Sequence, residues 1–376
     1  MIHKTAACLL ALATPLSALP VFIGTNTGKN STSKGIYLAD FDPDSGKLTE
    51  PKLAAEYASP GFLALHPSKP VLLCIGAPKQ PFADGSSSVA AFSIGKDHAL
   101  KFLGEASAGG KGACHLEVDA TGNTVAVANY GDGTISTIRL DENGTPLKTV
   151  TVITNNGSGP NKNRQQGPHA HGVYFDKANT HLFVPDLGID KVLVYPFDAA
   201  TSKLGDALPP LLTAPGAGPR HMAFSPDEKH AYVLNELDCT ILVASHETGR
   251  LTAIGPVPMM PEPAITMTSA EIEVSEDGNF VYASVRDKSP APANANELWV
   301  FKRDKSTGKL SFVEKLHCGG QIPRHFKIAP GGKWLLCGHQ DSNTISVLPR
   351  DPATGKLGVP TSTVPSPSPI CILFPR

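Results

Sequence analysis

Residues Arg220–Glu236, RHMAFSPDEKHAYVLNE, hold two short apolar segments on either side of a Ser-Pro-Asp turn, which is the pattern of a β-hairpin. The same hairpin returns along the chain: GFLALHPSKPVLLCIG from Gly61, CHLEVDATGNTVAVANY from Cys114, HGVYFDKANTHLFVPDL from His171, AEIEVSEDGNFVYASVR from Ala270 and RHFKIAPGGKWLLCGHQ from Arg324. A further copy is split between the chain ends, SPICILFPR from Ser368 and LPVFIGTN from Leu19. Between these lies a second hairpin whose turn is rich in Asp, Ser, Thr and Gly and ends in Lys-Leu. It reads FDPDSGKLT from Phe41, LDENGTPLK from Leu140, FDAATSKLG from Phe197, SHETGRLTA from Ser245, KRDKSTGKLSF from Lys302 and PRDPATGKLG from Pro349, with SIGKDHALKF from Ser93 as a degenerate copy.

Two hairpins make four strands, and a unit of about 51 residues has the spacing of a propeller blade. The expected fold is therefore all-β: a seven-bladed β-propeller with four antiparallel strands per blade. Pairing the N- and C-terminal strands in one blade closes the ring and removes two exposed sheet edges.

The chain has 376 residues, 33 Lys plus Arg against 34 Asp plus Glu, and no block of either sign. That balance argues against a nucleic-acid partner and leaves a small molecule as the expected one. At the N-terminus Lys4 precedes an apolar run from Ala6 to Leu12 and then small residues. This is the layout of a secretory signal, expected to end near Ala18, and the run is too short to span a bilayer. The reading is thus a signal peptide over 1–18, one propeller domain over 19–376, an exported protein with no membrane span in the mature chain, and a monomer. Seven cysteines form no CxxC pair, and their disulfide pairing is left open. Cys74 and Cys337 sit within the apolar runs VLLC and WLLC, as small buried hydrophobes do.

Repeat symmetry allows equivalent positions to be compared within one chain. The start of each first strand and the residue after each second strand share one end of a blade. On that basis His171, Arg220, Glu236, Arg286, Tyr130 and His339 ring one mouth of the channel, with His115, His221, Arg324 and His169 beside them. The long connections also fall on this face, among them NNGSGPNKNRQQGP over 155–168, which reads either as a flexible lid or, equally well, as a simple solvated insertion. A neutral histidine suits a general base. Arg220 and Arg286 suit a carboxylate, a phosphate or an oxyanion, and Glu236 can orient a neighbour or itself carry a proton. The PHAH pair lacks a clear third metal ligand, so no metal is expected. Walker, strand-linked GxGxxG and GxSxG patterns are absent from the sequence.

Several stretches resemble the seven-bladed propeller lactonases, which include propeller-type 6-phosphogluconolactonases and carboxymuconate-lactonizing enzymes. They are ANYGDGTIS from Ala128, QGPHAHGVYFD from Gln166, VPDLGIDKVLVY from Val184, GPRHMAFSPD from Gly218, YVLNEL from Tyr232, the Ser269-Ala270 pair and IPRHFKIAPGGKWLL from Ile322. The resemblance implies hydrolysis of a sugar δ-lactone, such as 6-phosphogluconolactone or a related aldonolactone, to the open acid without a cofactor. It implies that His171, Glu236, Arg220 and Arg286 are catalytic, with His169 as the alternative to His171 that the motif also offers. His169, His115, His221, Arg324, Tyr130 and His339 are expected to bind substrate. Two other readings share these residues: a non-catalytic propeller holding a protein or glycan on the long-loop face, and a lactonizing cyclase.

Overall fold

The computed structural model describes residues 18–29, 31–260, 266–289 and 295–375. The expected signal segment lies almost wholly outside them, as do parts of the long connections after Val257 and Asp287. The described residues form seven antiparallel sheets and no helix. Blade 1 is Leu63–Leu65, Val71–Gly76, Ser88–Ile94 and Leu100–Ser107, and blade 2 is Ala113–Val118, Thr124–Asn129, Thr134–Leu140 and Pro146–Thr154. Blade 3 runs from Tyr174–Phe175 to Leu208–Leu212, blade 4 from Pro219–Phe224 to Arg250–Pro258, blade 5 from Met267–Val274 to Leu310–His317, and blade 6 from Pro323–Ile328 to Ser362–Pro365. Blade 7 closes the ring as expected: the C-terminal strand Pro369–Leu373 pairs with Leu19–Thr25, in the register Phe22↔Leu373 and Ile23↔Ile372.

The order of burial follows from the architecture. Second strands such as Thr124–Asn129 and His230–Asn235 are buried at every position, because neighbouring blades cover both of their faces; hence their nearly unbroken apolar runs. Outer strands such as Leu310–His317 are only partly covered and mix polar with apolar residues. Aliphatic and aromatic side chains fill the wedge between adjacent blades, as with Val21, Ile23, Phe41, Leu336 and Val347 between blades 7 and 6.

The turn of the founding hairpin is built from side chains. Ser225 Oγ accepts from His230 N (3.1 Å), Ser275 Oγ from Phe280 N (3.0 Å), and Asp119 and Asp176 play the same part for Thr124 (2.8 Å) and His181 (3.0 Å). A left-handed residue follows in each turn, glycine at Gly122 and Gly278, Asn179 and Glu228 in the other two. Blades are also tied to one another. Arg303 donates from Nε to Tyr232 Oη (2.8 Å) and Arg350 repeats the contact to Tyr282 Oη (2.6 Å).

One feature of the inner strands goes beyond the alternation of an ideal strand. In blade 4, Pro219 pairs with Asn235 and His221 with Leu234, leaving Arg220 unpaired in a bulge. The same shift leaves Cys114 unpaired in blade 2, Arg324 in blade 6 and Ile370 in blade 7, while Ala270 and Glu271 oppose Ser284 in blade 5. A bulge re-aims the extra residue. Here it brings Arg220 and His221, adjacent in sequence, to line one cavity.

Candidate active site

Glu236 stands at the end of the second strand of blade 4, where its N–H donates to the Gly218 carbonyl (2.7 Å). Gly218 has φ +65°, and a Cβ there would meet Leu237 Cγ at 2.7 Å, so the approach to Arg220 needs glycine. Three guanidinium groups converge on the Glu236 carboxylate: Arg164 Nη2 at 2.7 Å, Arg220 Nε at 3.0 Å and Arg286 Nη2 at 3.2 Å. The Arg164 contact is an aligned hydrogen bond, whereas the Arg220 Nε–H is turned off the oxygen and lacks an acceptor. Backbone carbonyls hold the other ends: Arg220 Nη1 donates to Ala270 O and Arg286 Nη2 to Ser269 O (2.6 Å). The Ser-Ala pair singled out in the sequence is thus the shelf on which both arginines rest.

Burial alone would raise the Glu236 pKa, but Arg286, Arg220 and Arg164 outweigh it and hold the carboxyl well below the ordinary carboxylate range. Glu236 is therefore a permanent anion that positions cations, rather than a group that gains and loses a proton near neutrality. His171 lies beside it, Nε2 at 3.9 Å from Glu236 Oε2 and Nδ1 at 3.8 Å from Cys114 Sγ. Burial, followed by the charge of Arg220, keeps its pKa well below the usual histidine value, so the imidazole is neutral at pH 7.

The two histidines of PHAH go to different neighbours. His169 donates from Nδ1 to the Tyr130 carbonyl (2.7 Å) and stacks on the Tyr130 ring at 4.5 Å. Its backbone N–H is held by Asp186 (2.7 Å), a carboxyl that burial pushes up to about 6. Tyr130 in turn accepts from Arg164 Nη2 (3.2 Å).

His115 and His221 lie together around Phe62, whose ring centroid is 4.2 Å from His115, 5.9 Å from His221 and 5.6 Å from His325. Phe62 lines both a cavity of about 140 Å³, shared with Arg220, His221 and Glu271, and a wider cavity of about 980 Å³ that His115 also lines. His221 donates from Nδ1 to Glu271 (3.1 Å). Arg324 lines the smaller cavity with Arg220 and Cys114.

Two expectations are corrected. His339 ends the second strand of blade 6, at the same end as Asn235 and Glu236 in blade 4, but its ring is committed to protein partners. Its ring is fully buried, donating from Nε2 to the Cys318 carbonyl (3.2 Å) and accepting at Nδ1 from Thr344 Oγ1 (3.1 Å). The 155–168 segment is also no free lid. Gln165 Nε2 donates to Leu187 O (2.9 Å) and Asp190 Oδ1 (2.7 Å), and the adjacent Arg164 reaches Glu236. Arg164 is the site residue that repeat reasoning missed, because it belongs to a connection with no counterpart in other blades. Two basic residues, Lys162 and Arg164, inside a long loop of this face without acidic residues were the available signal.

Cys318, Cys337 and His339 have ligand atoms within 4.8 Å of one another, a soft-metal donor set in type, but both ring nitrogens of His339 already have protein partners. All six described cysteines are free thiols.

A family model described as a seven-bladed β-propeller lactonase matches residues 20–374. The chain is 32% identical to the 6-phosphogluconolactonase of Bacillus subtilis (strain 168) over 358 residues, 94% of this chain and 97% of that protein. It is also 32% identical to the 6-phosphogluconolactonase of Formosa agariphila, covering 90% of this chain and 94% of that one. Among solved structures, the periplasmic gluconolactonase of Pseudomonas aeruginosa superposes with a TM-score of 0.86 at 28% identity, over 95% of this chain and 99% of that chain.

Proposed function

The chain belongs to the seven-bladed β-propeller lactonases, and from that premise we propose that it hydrolyses the δ-lactone of an aldonic acid at the channel mouth around Glu236. The observation that carries this reading is the convergence of a neutral imidazole and three guanidinium groups on one buried carboxylate.

Lactone opening needs a base for water, donors for the oxyanion and a proton for the departing ring oxygen. With its proton on Nδ1, His171 presents a free Nε2 that accepts a proton from water as the water oxygen adds to the lactone carbonyl carbon. The imidazolium formed is stabilised by Glu236, 3.9 Å away. Arg220, whose side chain lines the adjoining cavity, supplies a guanidinium donor for the tetrahedral oxyanion, with Arg286 next to it. On collapse the ring C–O bond breaks, and the imidazolium returns its proton to the ring oxygen as it becomes a hydroxyl. Glu236 is a positioning group: it holds three cations that would otherwise repel one another.

The phosphorylated lactone named for the Bacillus and Formosa relatives and the unphosphorylated one named for the Pseudomonas relative are both candidates. The N-terminal Lys4 and apolar run, with the periplasmic designation of the Pseudomonas protein, support removal of residues 1–18 on export. N-terminal sequencing of the mature protein tests this.

The activity is tested by following δ-lactone opening with gluconolactone and its 6-phosphate, above the spontaneous rate, for the wild-type chain and for His171→Ala and Glu236→Ala. Acceleration by wild type that disappears in both variants supports the reading. Folded wild-type protein that accelerates neither reaction overturns it.

A further inference from the structure

Two of the free thiols meet across the seam between blades 5 and 6. Cys318 directly follows the outer strand Leu310–His317 of blade 5, and Cys337 lies within the second strand Trp334–His339 of blade 6. They stand 19 positions apart in the chain, yet their sulfurs lie within 4.8 Å of each other, with a ring nitrogen of His339 inside the same range. Both side chains are fully buried. The approach is built into the backbone. Two glycines follow Cys318; a Cβ would meet Ser346 Oγ at 2.7 Å at Gly319 and would collide with the His339 ring at Gly320. Gly319 also has φ +94°, so this segment presses on blade 6 only because it lacks side chains.

The two thiols are chemically unequal. Burial alone would raise both pKa values, but the Cys337 thiol and the His339 ring favour the Cys318 thiolate and hold it below the ordinary range, while Cys337 is pushed up. Burial pushes up the thiols of Cys74, Cys114, Cys239 and Cys371 as well. Cys318 is thus the one nucleophile of the set, and a second sulfur stands beside it. A disulfide holds its sulfurs about 2.0 Å apart, so closing the pair takes rotation of the side chains about χ1, and the glycines next to Cys318 give its segment the freedom to follow.

We propose that Cys318 and Cys337 are a disulfide-forming pair, a covalent tie between blades 5 and 6 that closes by exchange with a small-molecule or protein disulfide. The Cys318 thiolate attacks one sulfur of the oxidant, forms a mixed disulfide and releases the other sulfur as a thiolate. The Cys337 thiolate then attacks Cys318 Sγ and releases the second. Two protein thiols are oxidised, one oxidant disulfide is reduced to two thiols, and the two protons pass to the departing sulfurs. The structure describes the reduced state. The tie spans the seam between the blade that supplies Arg286 and the blade that supplies Arg324. It is independent of the lactonase reading, and the export proposed above would bring the pair to a compartment where disulfides persist.

In the experiment, folded and reduced wild-type protein is incubated with excess glutathione disulfide in urea below the unfolding transition, which lets the buried seam open transiently. The protein is then unfolded in iodoacetamide and cut with trypsin, beside a fully reduced sample. Cys318 and Cys337 are the single cysteines of the peptides Leu316–Arg324 and Trp334–Arg350. The expected product is these two peptides joined, lighter than their sum by two hydrogens and separated again by reduction. The oxidised chain is expected to melt about 4 °C above the reduced one, the shift for closing a loop of this length in a chain of this size, and Cys318→Ser and Cys337→Ser are each expected to abolish that difference. Both peptides fully alkylated without reduction, Cys318 joined to any other cysteine, or glutathione left on Cys318 with Cys337 alkylated overturns the proposal. So do thiols that react only after a chelator is added, because the pair then holds a soft metal. The peptide map is read on wild type, so it decides the matter even where a serine variant fails to fold.

Discussion

Replacing Glu236 by Gln removes the only negative charge among Arg164, Arg220 and Arg286 and leaves three cations facing one another in a buried site. Deleting one partner of a buried ion pair typically costs 3–5 kcal/mol, most of it the uncompensated charge left behind. For a chain of 376 residues the unfolding entropy is about 0.8 kcal/mol/K, so a loss of about 4 kcal/mol lowers the melting temperature by about 5 °C. The assay is scanning calorimetry at pH 7 in a buffer free of oxyanions, repeated with added phosphate. Phosphate is expected to restore part of the loss, because it binds folded arginines that Glu236 no longer occupies. The sign of the pH dependence follows from the depressed carboxyl pKa. The stabilisation is complete above the unfolded value near ~4.3 and is lost as pH falls toward the folded one, so the gap between the two proteins is full at pH 7 and narrows by about 1.4 kcal/mol per unit below pH ~4.3. A melting temperature within about 1 °C of wild type at pH 7 would refute the view that Glu236 holds this cluster together.

His171→Ala is expected to lower kcat by ~10²–10⁴ with little change in fold, the usual range for loss of a general base; a larger effect from His169→Ala in the same assay would transfer the role. Burial lowers the pKa of His115, His171, His221 and His325. Below pH ~6.5 the unfolded chain therefore takes up protons that the folded chain refuses, and stability falls by up to about 1.4 kcal/mol per histidine per pH unit. Urea denaturation at pH 7, 6 and 5 reads this slope, and stability that rises on acidification contradicts it. Tyr282→Phe strips Arg350 Nε and the Gly355 carbonyl of their shared partner; a cost of about 1–3 kcal/mol with unchanged kcat is expected, measured by denaturation and turnover. Deleting Ser368–Arg376 removes the inner strand of blade 7 and is expected to leave no cooperative unfolding transition, whereas deleting residues 1–17 is expected to preserve it.

The ring was legible in the sequence because its cause is local and periodic. A turn rich in Pro, Asp, Asn or Gly between apolar segments makes a hairpin, and six such hairpins with a seventh pair split between the chain ends leave a closed propeller as the arrangement that covers every second strand on both faces. Positions on the rim also followed from strand direction, which is why His171, Arg220, Glu236 and Arg286 could be grouped although 115 positions separate the first from the last of them. Side-chain aim and charge partners were not legible, because they are settled by contacts between blades. The bulges turn Arg220 and Arg324 to the cavity against ideal alternation. Arg164 arrives from a connection without repeat symmetry, and His339 turns into a buried space beside Cys318. The two Pro-Arg-His triplets read alike as sequence. Only the tertiary structure distinguishes them, because an arginine takes its character from the carboxylate within reach, and among the described residues the fold places one at 3.0 Å from Arg220 and none within ion-pair distance of Arg324.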